Sequence, residues 1–593
     1  MDEPSLWRNL FRRGCVSPDQ NLETGNTTPV PKPVHPPFPD YAMSLADKVL
    51  DGIVLDAHSV WRLPGLERFG YTDGKSQERY LHEVLRKASD LGSDSYELER
   101  AIRNWVTDYH LSRKRSRLLR GFAFDRSNKV LEVGCGCGAI TRYLGETFDD
   151  VVAVEGSPAR ATLARMRTRD MPNVSVLCAP FQNVRFSCRF DIIFCIGVFE
   201  YSKIFVDGPD PFASVLRHLA GLLAPGGAVI LAIENQFGLK YFASSAEDHN
   251  AIMFDGIEGY PRQDLHRTFG YRELRDRLTR HLGPTRFYFP YPDYKLPSCV
   301  VSEEAFGKVN LAEMIGNFAP RDYSKARTPA FDQRLVLMEL AKNDMLHLFS
   351  NSFLVVAGDT TGKRAAFDGL GILFSDRRTR EFQTEARISE HIDGSVWISK
   401  RRTGSGVSGD GIIRLYGYEE RWLASDSVKM QVLKKAKRRK ITFGELFEPC
   451  ALWMQKMQSL GTVKSGELVV DGRYVDCSWA NSFIQNGECV FIDNEWVWKG
   501  DIRVNVLIVR NANYLLNEIR GMRDLNPQLS EGGTKSLVAR IGRELGVEIT
   551  ARDWDDFWTL EAAFTQIVTG GKGRWRDRAL EKIRRALTPR LDA

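Results

Sequence analysis

The sequence predicts two folded domains of different class: an α/β domain built on a doubly wound parallel sheet, followed by an α+β domain. Three observations support this. The chain has 593 residues, which is too many for a single hydrophobic core. Between about residues 128 and 301, short apolar runs alternate with helical segments. From about residue 365 the pattern restarts, with strands first and helices last.

The composition is that of an ordinary globular protein, with 43% hydrophobic residues. There are 82 basic and 76 acidic residues, and the net charge of +6 permits an anionic partner without requiring one. Ten cysteines without paired C-x-x-C spacing indicate free thiols in a reducing compartment. We find neither an apolar run of the ~20 residues that span a membrane nor a signal peptide. A cytoplasmic protein is expected.

Changes in composition predict the boundaries of the domains. Residues 1–40 are rich in proline and are expected to form a disordered tail. A helical lead-in follows at 41–127, and the α/β domain occupies 128–301. Residues 302–364 are interpreted as a helical extension and linker, and 365–593 as the second domain.

Five short apolar runs predict the strands of the first domain. They are KVLEVG, VVAVEG, VSVLCAP, FDIIFCIGV and GAVILAIEN. Runs that are apolar throughout, rather than alternating with polar residues, are typical of a parallel sheet with both faces buried. The helical segments between them predict right-handed β-α-β crossovers.

The stretch VLEVGCGCGAITRYLG (130–145) predicts a strand, a glycine-rich turn and a helix. Gly134 and Gly136, with Ala139, fit the dinucleotide pattern G-x-G-x-x-G/A. With Gly138, the two glycines also fit the E/D-x-G-x-G-x-G loop of S-adenosylmethionine (SAM) enzymes. Glu155, at the end of the second strand, can accept hydrogen bonds from ribose hydroxyls, and this would suit either NAD or SAM.

Three features favour SAM over NAD. Glu132 lies inside the first strand, where a dinucleotide-binding fold usually has an apolar residue. The sequence L-x-P-G-G stands at 223–227 before a strand, and the pieces follow in the expected order. The region 128–300 therefore resembles a class I SAM-dependent methyltransferase, whose fold is Rossmann-like. The resemblance implies SAM as cofactor, bound by Glu132, Gly134, Gly136, Gly138 and Glu155.

The third strand departs from the family pattern. An acid that meets the adenine amine often ends this strand, but here Ala179 and Pro180 stand at that position. We therefore expect backbone groups and the nearby Gln182 or Asn183 to hold the adenine.

Two further motifs concern the methyl acceptor. IENQFGLKYFASSAEDH and FPYPDYKLP resemble methyltransferases encoded with bacterial surface-polysaccharide assembly. The resemblance implies a saccharide or lipid-linked glycan as acceptor, methylated on a hydroxyl or on a sugar phosphate. Candidate substrate-binding residues are Asn235, Lys240, Glu247, Asp248, Asp293 and Lys295.

His249 and Glu200 are the candidate catalytic residues for methyl transfer. A hydroxyl acceptor needs a general base, and the ordinary pKa of histidine lies near neutrality. The alternatives are that His249 anchors a loop and that Glu200 caps a strand end. Nearby aromatic residues either stack on a sugar or belong to the core; they are Tyr288, Phe289, Tyr291 and Tyr294.

The second domain carries a D-x-x-x-x-N pattern at Asp476 and Asn481, followed by Asp493 after a short apolar strand. This resembles the kinase-like fold, in which the first Asp orients the hydroxyl nucleophile and the Asn and second Asp hold Mg²⁺. Lys400 is the candidate nucleotide-binding lysine, and Mg-ATP the implied cofactor. Tyr474 and the absence of a glycine-rich phosphate loop depart from the pattern. The alternatives are a degenerate kinase-like domain and a loop in which Asp476 and Asn481 only cap turns.

The basic run KKAKRRK at 434–440 supports two further hypotheses. It could contact RNA phosphates, which would make the protein an RNA methyltransferase. It could also hold the protein at the inner membrane, near lipid-linked glycans. No recognised RNA-binding module accompanies the run, so no nucleic-acid partner is expected and a solvated helix face is the simpler interpretation.

Overall fold

The computed structural model describes residues 43–65, 72–262, 265–323, 328–359, 362–404 and 413–570. The predicted proline-rich tail at 1–40 lies outside this part of the chain. The chain divides into two units. The first contains residues up to Glu303 together with Ala319–Arg327 and His347–Asp368, and the second contains Glu304–Phe318, Thr328–Leu346 and the chain from Gly369 onwards.

Twelve strands belong to the described part of the first unit. They are β1 (Val54–Leu55), β2 (Trp61–Arg62), β3 (Phe122–Ala123), β4 (Lys129–Val133), β5 (Asp150–Glu155), β6 (Val174–Cys178), β7 (Phe190–Ile196), β8 (Leu223–Glu234), β9 (Thr285–Tyr291), β10 (Cys299–Ser302), β11 (Ser352–Ala357) and β12 (Ala366–Phe367).

The described part of the second unit contributes eleven strands. They are β13 (Gly371–Phe374), β14 (Thr384–Glu390), β15 (Val396–Arg402), β16 (Ile413–Leu415), β17 (Tyr418–Arg421), β18 (Thr462–Lys464), β19 (Glu467–Val470), β20 (Ser482–Gln485), β21 (Glu488–Phe491), β22 (Trp496–Trp498) and β23 (Ile502–Arg503).

Helices α1 to α11 precede residue 303. They are α1 (Met43–Ala46), α2 (Lys75–Lys87), α3 (Tyr96–Arg100), α4 (Trp105–Leu111), α5 (Lys114–Arg117), α6 (Ala139–Thr147), α7 (Pro158–Arg167), α8 (Ser202–Phe205), α9 (Pro211–Leu222), α10 (Leu239–Phe242) and α11 (Tyr271–Leu282).

Ten more helices follow. They are α12 (Glu303–Lys308), α13 (Ala312–Gly316), α14 (Gln333–Lys342), α15 (Leu346–Phe349), α16 (Val428–Ala436), α17 (Phe443–Phe447), α18 (Pro449–Leu460), α19 (Val504–Ile519), α20 (Thr534–Glu544) and α21 (Ala551–Thr569). Within the described residues, none of the helices combines the length and the apolar character needed to cross a membrane.

The five predicted strands form the parallel part of the first unit's sheet, in the order β6-β5-β4-β7-β8. Leu131 of β4 lies opposite Val152 on one side and Ile193 on the other. Both neighbours are fully buried, as the uniformly apolar runs predicted. The α/β class and the central sheet are thereby confirmed for this unit.

The sheet continues beyond β8 with antiparallel strands, in the order β8-β11-β9-β10. β11 (Ser352–Ala357) is buried along its whole length and lies between β8 and β9. The sequence interpretation had placed this strand in a helical extension and linker at 302–364. The structure divides that segment differently, because β11 completes the core of the first unit whereas α12, α13 and α14 lie largely in the second.

The helical lead-in packs on helices α6 and α7, which flank the parallel sheet of the first unit. α2 contacts α7, and the buried guanidinium of Arg167 at the end of α7 donates to the carbonyls of Leu91 (3.1 Å), His110 (3.1 Å) and Gly92 (3.4 Å). Burial lowers the pKa of Arg167 to about 10. A buried charged donor shared by three carbonyls fixes the lead-in, which lines one side of the site described below.

The second unit has an antiparallel sheet in the order β13-β14-β15-β17, followed by shorter pairings and then helices. β20 and β21 form a hairpin, and β18, β19 and β23 form a small sheet. α16, α17 and α18 lie between β17 and β18 in the chain, and α19, α20 and α21 come last. The predicted order of strands first and helices last therefore holds only in part, because three helices interrupt the strands.

Candidate active site

A cavity of about 420 Å³ opens at the carboxyl ends of β4, β5 and β7. Ligands of open α/β sheets bind at this edge, because the loops that leave the parallel strands diverge there. The lining includes the glycine turn, Glu155 and Gln182 at one end and Glu200, His249 and Lys295 at the other. One cavity therefore brings together residues that lie more than 150 positions apart in the chain.

The glycine turn adopts a backbone that requires glycine. Gly134, Gly136 and Gly138 have φ angles of 71°, 57° and 82°, in the left-handed region that side chains disfavour. A Cβ on Gly134 would lie 2.4 Å from Val198 Cγ2, and one on Gly138 would lie 2.8 Å from Ala164 Cα. α6 begins directly after the turn, so its free N–H groups point towards the cavity edge.

Glu155 fastens this turn to the second strand. Its two carboxylate oxygens accept hydrogen bonds from the N–H groups of Gly136 (2.8 Å) and Ser157 (2.9 Å). Each oxygen keeps a second lone pair, and the side chain lines the cavity although it is only 5% exposed. The position suits a contact with ribose hydroxyls, and that role of Glu155 remains a prediction.

Glu132 is a buried carboxyl group of β4 that also lines the cavity. Burial raises its pKa to about 7, and its Oε2 has no hydrogen-bond partner. A buried polar atom without a partner is costly, and an ammonium group in the cavity would supply one. The residue therefore fits the expected contact with the methionine amino group of SAM.

Gln182 lies in a short turn after β6 and lines the same cavity. Its Nε2 donates to the carbonyl of Phe205 at 2.9 Å. This hydrogen bond holds the amide at the cavity wall, and the adenine contact remains a prediction.

His249 lies among three carboxylates at the other end of the cavity. Its Nδ1 is 2.8 Å from Glu247 Oε1, while its Nε2 is 3.8 Å from Glu200 Oε1 and 3.7 Å from Glu234 Oε2. Burial alone would lower the pKa of His249, but the charges of Glu247 and Glu234 outweigh it and raise that pKa well above its ordinary value. Burial raises the pKa of Glu200.

A chain of buried ion pairs continues from this cluster. Lys295 Nζ lies 2.6 Å from Asp248 Oδ2 and also contacts Glu234. Lys240 Nζ donates to both oxygens of Asp248 at 2.8 Å. Burial favours the neutral form of Lys295, but Asp248 and Glu234 outweigh it and raise its pKa. Such charges are tolerated in the interior only because each has partners.

Several predicted acceptor contacts have structural partners instead. Asn235 Nδ2 donates to the carbonyls of Leu348 (2.8 Å) and Ser350 (2.7 Å), and its Oδ1 accepts from the Phe237 N–H. Asp293 accepts from the N–H groups of Lys295 and Leu296 and from the Tyr323 hydroxyl. Among the described residues, the cavity lining includes Asp248 and Lys295 but not Asn235, Lys240, Glu247 or Asp293.

The aromatic residues that were considered for sugar stacking divide in the same way. Tyr288, Phe289 and Tyr291 lie in β9 and are buried in the sheet core; Tyr288, for example, packs on Phe122. For these three the core interpretation holds. Tyr294 alone of the four lines the cavity.

The sequence interpretation missed Glu234. It is the last residue of β8 and is fully buried, at the same carboxyl edge as Glu155 at the end of β5. The rule that selected Glu155 would also have selected Glu234, which stands in the strand run GAVILAIEN and in the motif IENQFGLKYFASSAEDH but was not chosen as a site residue. Arg160, which lines the cavity, gave no motif signal.

A separate cluster occupies the second unit. Lys400 of β15 contacts Asp493 and lies 3.1 Å from Glu495 Oε2. Asn481 Nδ2 lies 3.3 Å from Asp476 Oδ2, and burial raises the pKa of Asp476 to about 7. The spacing between Asp476 and Asn481 therefore brings their side chains together, and Lys400 reaches Asp493 across the unit's core.

Replacing Gly134 with alanine should weaken binding of S-adenosylhomocysteine at least tenfold, or about 1.4 kcal/mol. The reason is that the added Cβ meets Val198 at 2.4 Å in a left-handed backbone. Isothermal titration calorimetry measures the Kd. Gly226→Ala is the matched control, with φ +69° and no atom within 4 Å of the added Cβ, and should bind as the unmodified protein does. Equal affinity of Gly134→Ala and the unmodified protein would contradict the assignment of the turn.

The sequence of this region is similar to sequences of known methyltransferases. Residues 131–231 match a family described as "Methyltransferase domain". The chain is 26% identical over 179 residues to "Ubiquinone biosynthesis O-methyltransferase" of Acinetobacter baylyi, covering 28% of this chain and 72% of the relative. It is 29% identical over 112 residues to a protein of that name from Pseudomonas aeruginosa, covering 18% of this chain and 45% of the relative.

Solved structures of methyltransferases are similar to part of this chain. The N-methyltransferase NodS from Bradyrhizobium japonicum shows 20% identity over 24% of this chain and 72% of that chain, with a TM-score of 0.20. A S-adenosylmethionine-dependent methyltransferase from Clostridium acetobutylicum shows 21% identity over 29% of this chain and 63% of that chain, with a TM-score of 0.20. The sequence matches, taken with the glycine turn and the fold of the first unit, establish that this protein is a SAM-dependent methyltransferase.

Proposed function

We propose that the first unit transfers the methyl group of SAM to an oxygen atom of a saccharide, either a hydroxyl or a phosphate on the sugar, in cell-envelope polysaccharide synthesis. The observation that carries this proposal is the single cavity that joins the glycine turn to a group of charged side chains. Glu200, Asp248, His249 and Lys295 all line its far end.

The near end of the cavity suits the polar groups of SAM. Glu155 can accept from the ribose hydroxyls, and Glu132 has an unpartnered oxygen for the ammonium group. With SAM held at both points, its sulfonium methyl group would be directed towards the far end. This placement uses only side chains that already line the cavity.

The far end favours a hydroxylated or phosphorylated acceptor over an apolar one. Buried ions and carboxylates must be paired or hydrogen-bonded, and sugar hydroxyls can donate to and accept from such groups at once. Lys295 and the imidazole of His249 offer N–H donors to a phosphate or hydroxyl oxygen. The curated relatives are named for ubiquinone biosynthesis, and the charged lining supports a more polar acceptor for this chain.

The reaction proceeds by direct displacement. A lone pair of the acceptor oxygen forms the new O–C bond to the methyl carbon, the C–S bond breaks, and its electron pair remains on sulfur to give neutral S-adenosylhomocysteine. A hydroxyl acceptor also loses its proton, whereas an ionised phosphate oxygen loses none. For a phosphate acceptor, the protein accelerates the reaction mainly by positioning the acceptor oxygen against the methyl group of SAM.

Transfer of radiolabelled methyl from SAM to defined acceptors tests the proposal. We expect label on a lipid-linked oligosaccharide or a sugar phosphate and none on transfer RNA. Lys295→Met should reduce this transfer by about 100-fold, because the charged acceptor end loses a positioning cation. Its affinity for S-adenosylhomocysteine should stay within twofold of the unmodified protein, which also reports that the variant is folded.

Lys87→Met is the matched control for that variant, since Lys87 lies on the exposed face of α2 and pairs only loosely with Glu83 (3.7 Å). It should transfer methyl at the unmodified rate. Label on RNA with none on any saccharide would contradict the proposal and favour the RNA alternative.

Three members of the basic run that suggested RNA are already in ion pairs, Lys434 with Asp426, Lys435 with Glu448 and Arg439 with Asp524.

A second candidate function, phosphoryl transfer from Mg-ATP, is supported by the cluster in the second unit. Lys400 contacts Asp493, and Asn481 contacts Asp476, so the types of residue that a kinase-like site uses lie close together in these two pairs. Arg378 and Lys400 both contact Glu495, however, and this carboxylate competes for the lysine. The proposed pairing of activities is phosphorylation of a sugar followed by methylation.

Thermal melting with Mg-ATP tests the second candidate. At a hundredfold its Kd, the nucleotide should stabilise the protein by about 2.7 kcal/mol, seen as a higher Tm. Asp493→Asn should abolish the shift, because it removes the carboxylate that would hold Mg²⁺. The control Asp501→Asn changes a more exposed carboxylate of the same unit and should keep the shift. No shift with the unmodified protein would make the second unit a degenerate module.

A further inference from the structure

We propose that Glu200, Glu234 and His249 form a binding site for a divalent cation at the acceptor end of the cavity. The role that we assign to the cation, holding an oxygen of the methyl acceptor, rests on the proposed function. The presence of the site does not, because it follows from the three side chains themselves.

The three side chains converge on one point. One ligand atom from each lies within 4.8 Å of the other two. His249 Nε2 is 3.8 Å from Glu200 Oε1 and 3.7 Å from Glu234 Oε2, too far for hydrogen bonds. A cation with bonds of about 2.1 Å in tetrahedral geometry separates its ligands by about 3.4 Å, so small rotations of the side chains would close the site.

The orientation of His249 is the one that a metal ligand has. Its Nδ1 contacts Glu247 Oε1 at 2.8 Å, and the other oxygen of Glu247 accepts from the His249 N–H at 2.7 Å. A carboxylate that holds one ring nitrogen of a histidine fixes the ring and directs the second nitrogen at the metal. Here the second nitrogen is Nε2, and it points between Glu200 and Glu234.

Two buried oxygen atoms at the site have no hydrogen-bond partner. They are Glu200 Oε2 and Glu234 Oε2, on side chains that are 1% and 0% exposed. A carboxylate oxygen left unsatisfied in the interior is costly. A bound cation would satisfy both oxygens, and this is the observation that distinguishes the site from an ordinary acidic cluster.

The charge of the surrounding network also calls for a cation. Of the carboxylates here, Asp248 and Glu234 contact ammonium groups, those of Lys240 and Lys295. Glu200 and Glu247 face the imidazole of His249 instead. A divalent ion between Glu200 and Glu234 would add positive charge where carboxylates outnumber ammonium groups.

The donor set of one imidazole and two carboxylates suits Mn²⁺ or Zn²⁺ among common ions. Glu200 and His249 line the cavity, so one side of the cation would face the space that the acceptor enters. An acceptor oxygen could bind there as a further ligand, which would orient it and make a hydroxyl easier to ionise. Lys295 would then neutralise the second oxygen of Glu234.

Binding of MnCl₂ to the metal-stripped full chain, followed by electron paramagnetic resonance of free Mn²⁺, tests the site. We expect one bound ion per chain. Glu234→Gln, nearly equal in shape, and His249→Gln should each weaken binding at least tenfold. The control Asp73→Asn alters a different cluster of possible metal ligands, Asp73, His110 and Cys137, and should leave Mn²⁺ binding unchanged.

Three outcomes would overturn the inference. They are no Mn²⁺ or Zn²⁺ binding by the unmodified protein, equal binding by Glu234→Gln and His249→Gln, and loss of binding in Asp73→Asn alone. Calorimetry of S-adenosylhomocysteine binding shows whether each variant is folded, and it separates the two proposals. Binding of S-adenosylhomocysteine without binding of Mn²⁺ contradicts only the cation site. Binding of Mn²⁺ without binding of S-adenosylhomocysteine supports the cation site and contradicts the proposed function.

Discussion

The hydrogen bonds from the Gly136 and Ser157 N–H groups to Glu155 are the interaction on which the site depends. They join the turn after the first strand of the parallel sheet to the end of the second, and each charge-assisted bond contributes about 1.5–3 kcal/mol. With the turn held there, its left-handed glycines keep side chains out of the space beside Val198. That space becomes one end of the cavity, and the first turn of α6 borders it.

At the end of the cavity that holds Glu200 and His249, the main feature is a set of buried charged groups that are only partly paired. The interior of the first unit tolerates Lys240, Lys295 and their carboxylate partners because they form a continuous set of ion pairs. The set is incomplete at Glu200 and Glu234, where buried oxygens lack partners. A stable domain core has little reason to keep such groups, since apolar residues of similar volume are usually as stable. The proposed methyl transfer would give a functional reason to Glu200, which lines the cavity, and to the neighbouring Glu234.

Sequence reasoning predicted local features well and long-range ones poorly. The parallel strands followed from apolar runs because burial on both faces leaves a local signature, and the glycine turn followed from its backbone requirements. The run that forms β11 (Ser352–Ala357) was assigned to the helical extension and linker, because its partners β8 and β9 lie far away in the chain. Nothing in a single run of residues specifies which sheet it joins.

The side chains of the candidate site were also hard to predict, because their roles depend on partners far away in the chain. Asn235 and Asp293 were selected because polar residues near a pocket are good candidates, yet backbone groups occupy their hydrogen-bonding capacity. Tyr288 and Phe289 stand in a stretch rich in aromatics, but β9 lies between β11 and β10 in the sheet, and both side chains are buried in the core. Glu234 was within reach of the sequence, because it ends a predicted strand at the edge where ligands bind.

We infer that one cavity holds SAM at the glycine turn and presents its methyl group to Glu200, Asp248, His249 and Lys295. A crystal structure of the protein with S-adenosylhomocysteine would show this arrangement directly. We expect the ribose hydroxyls on Glu155, the ammonium group beside Glu132 and the sulfur facing Glu200 and His249. A nucleotide bound away from Glu155, or one whose sulfur points away from Glu200 and His249, would contradict it.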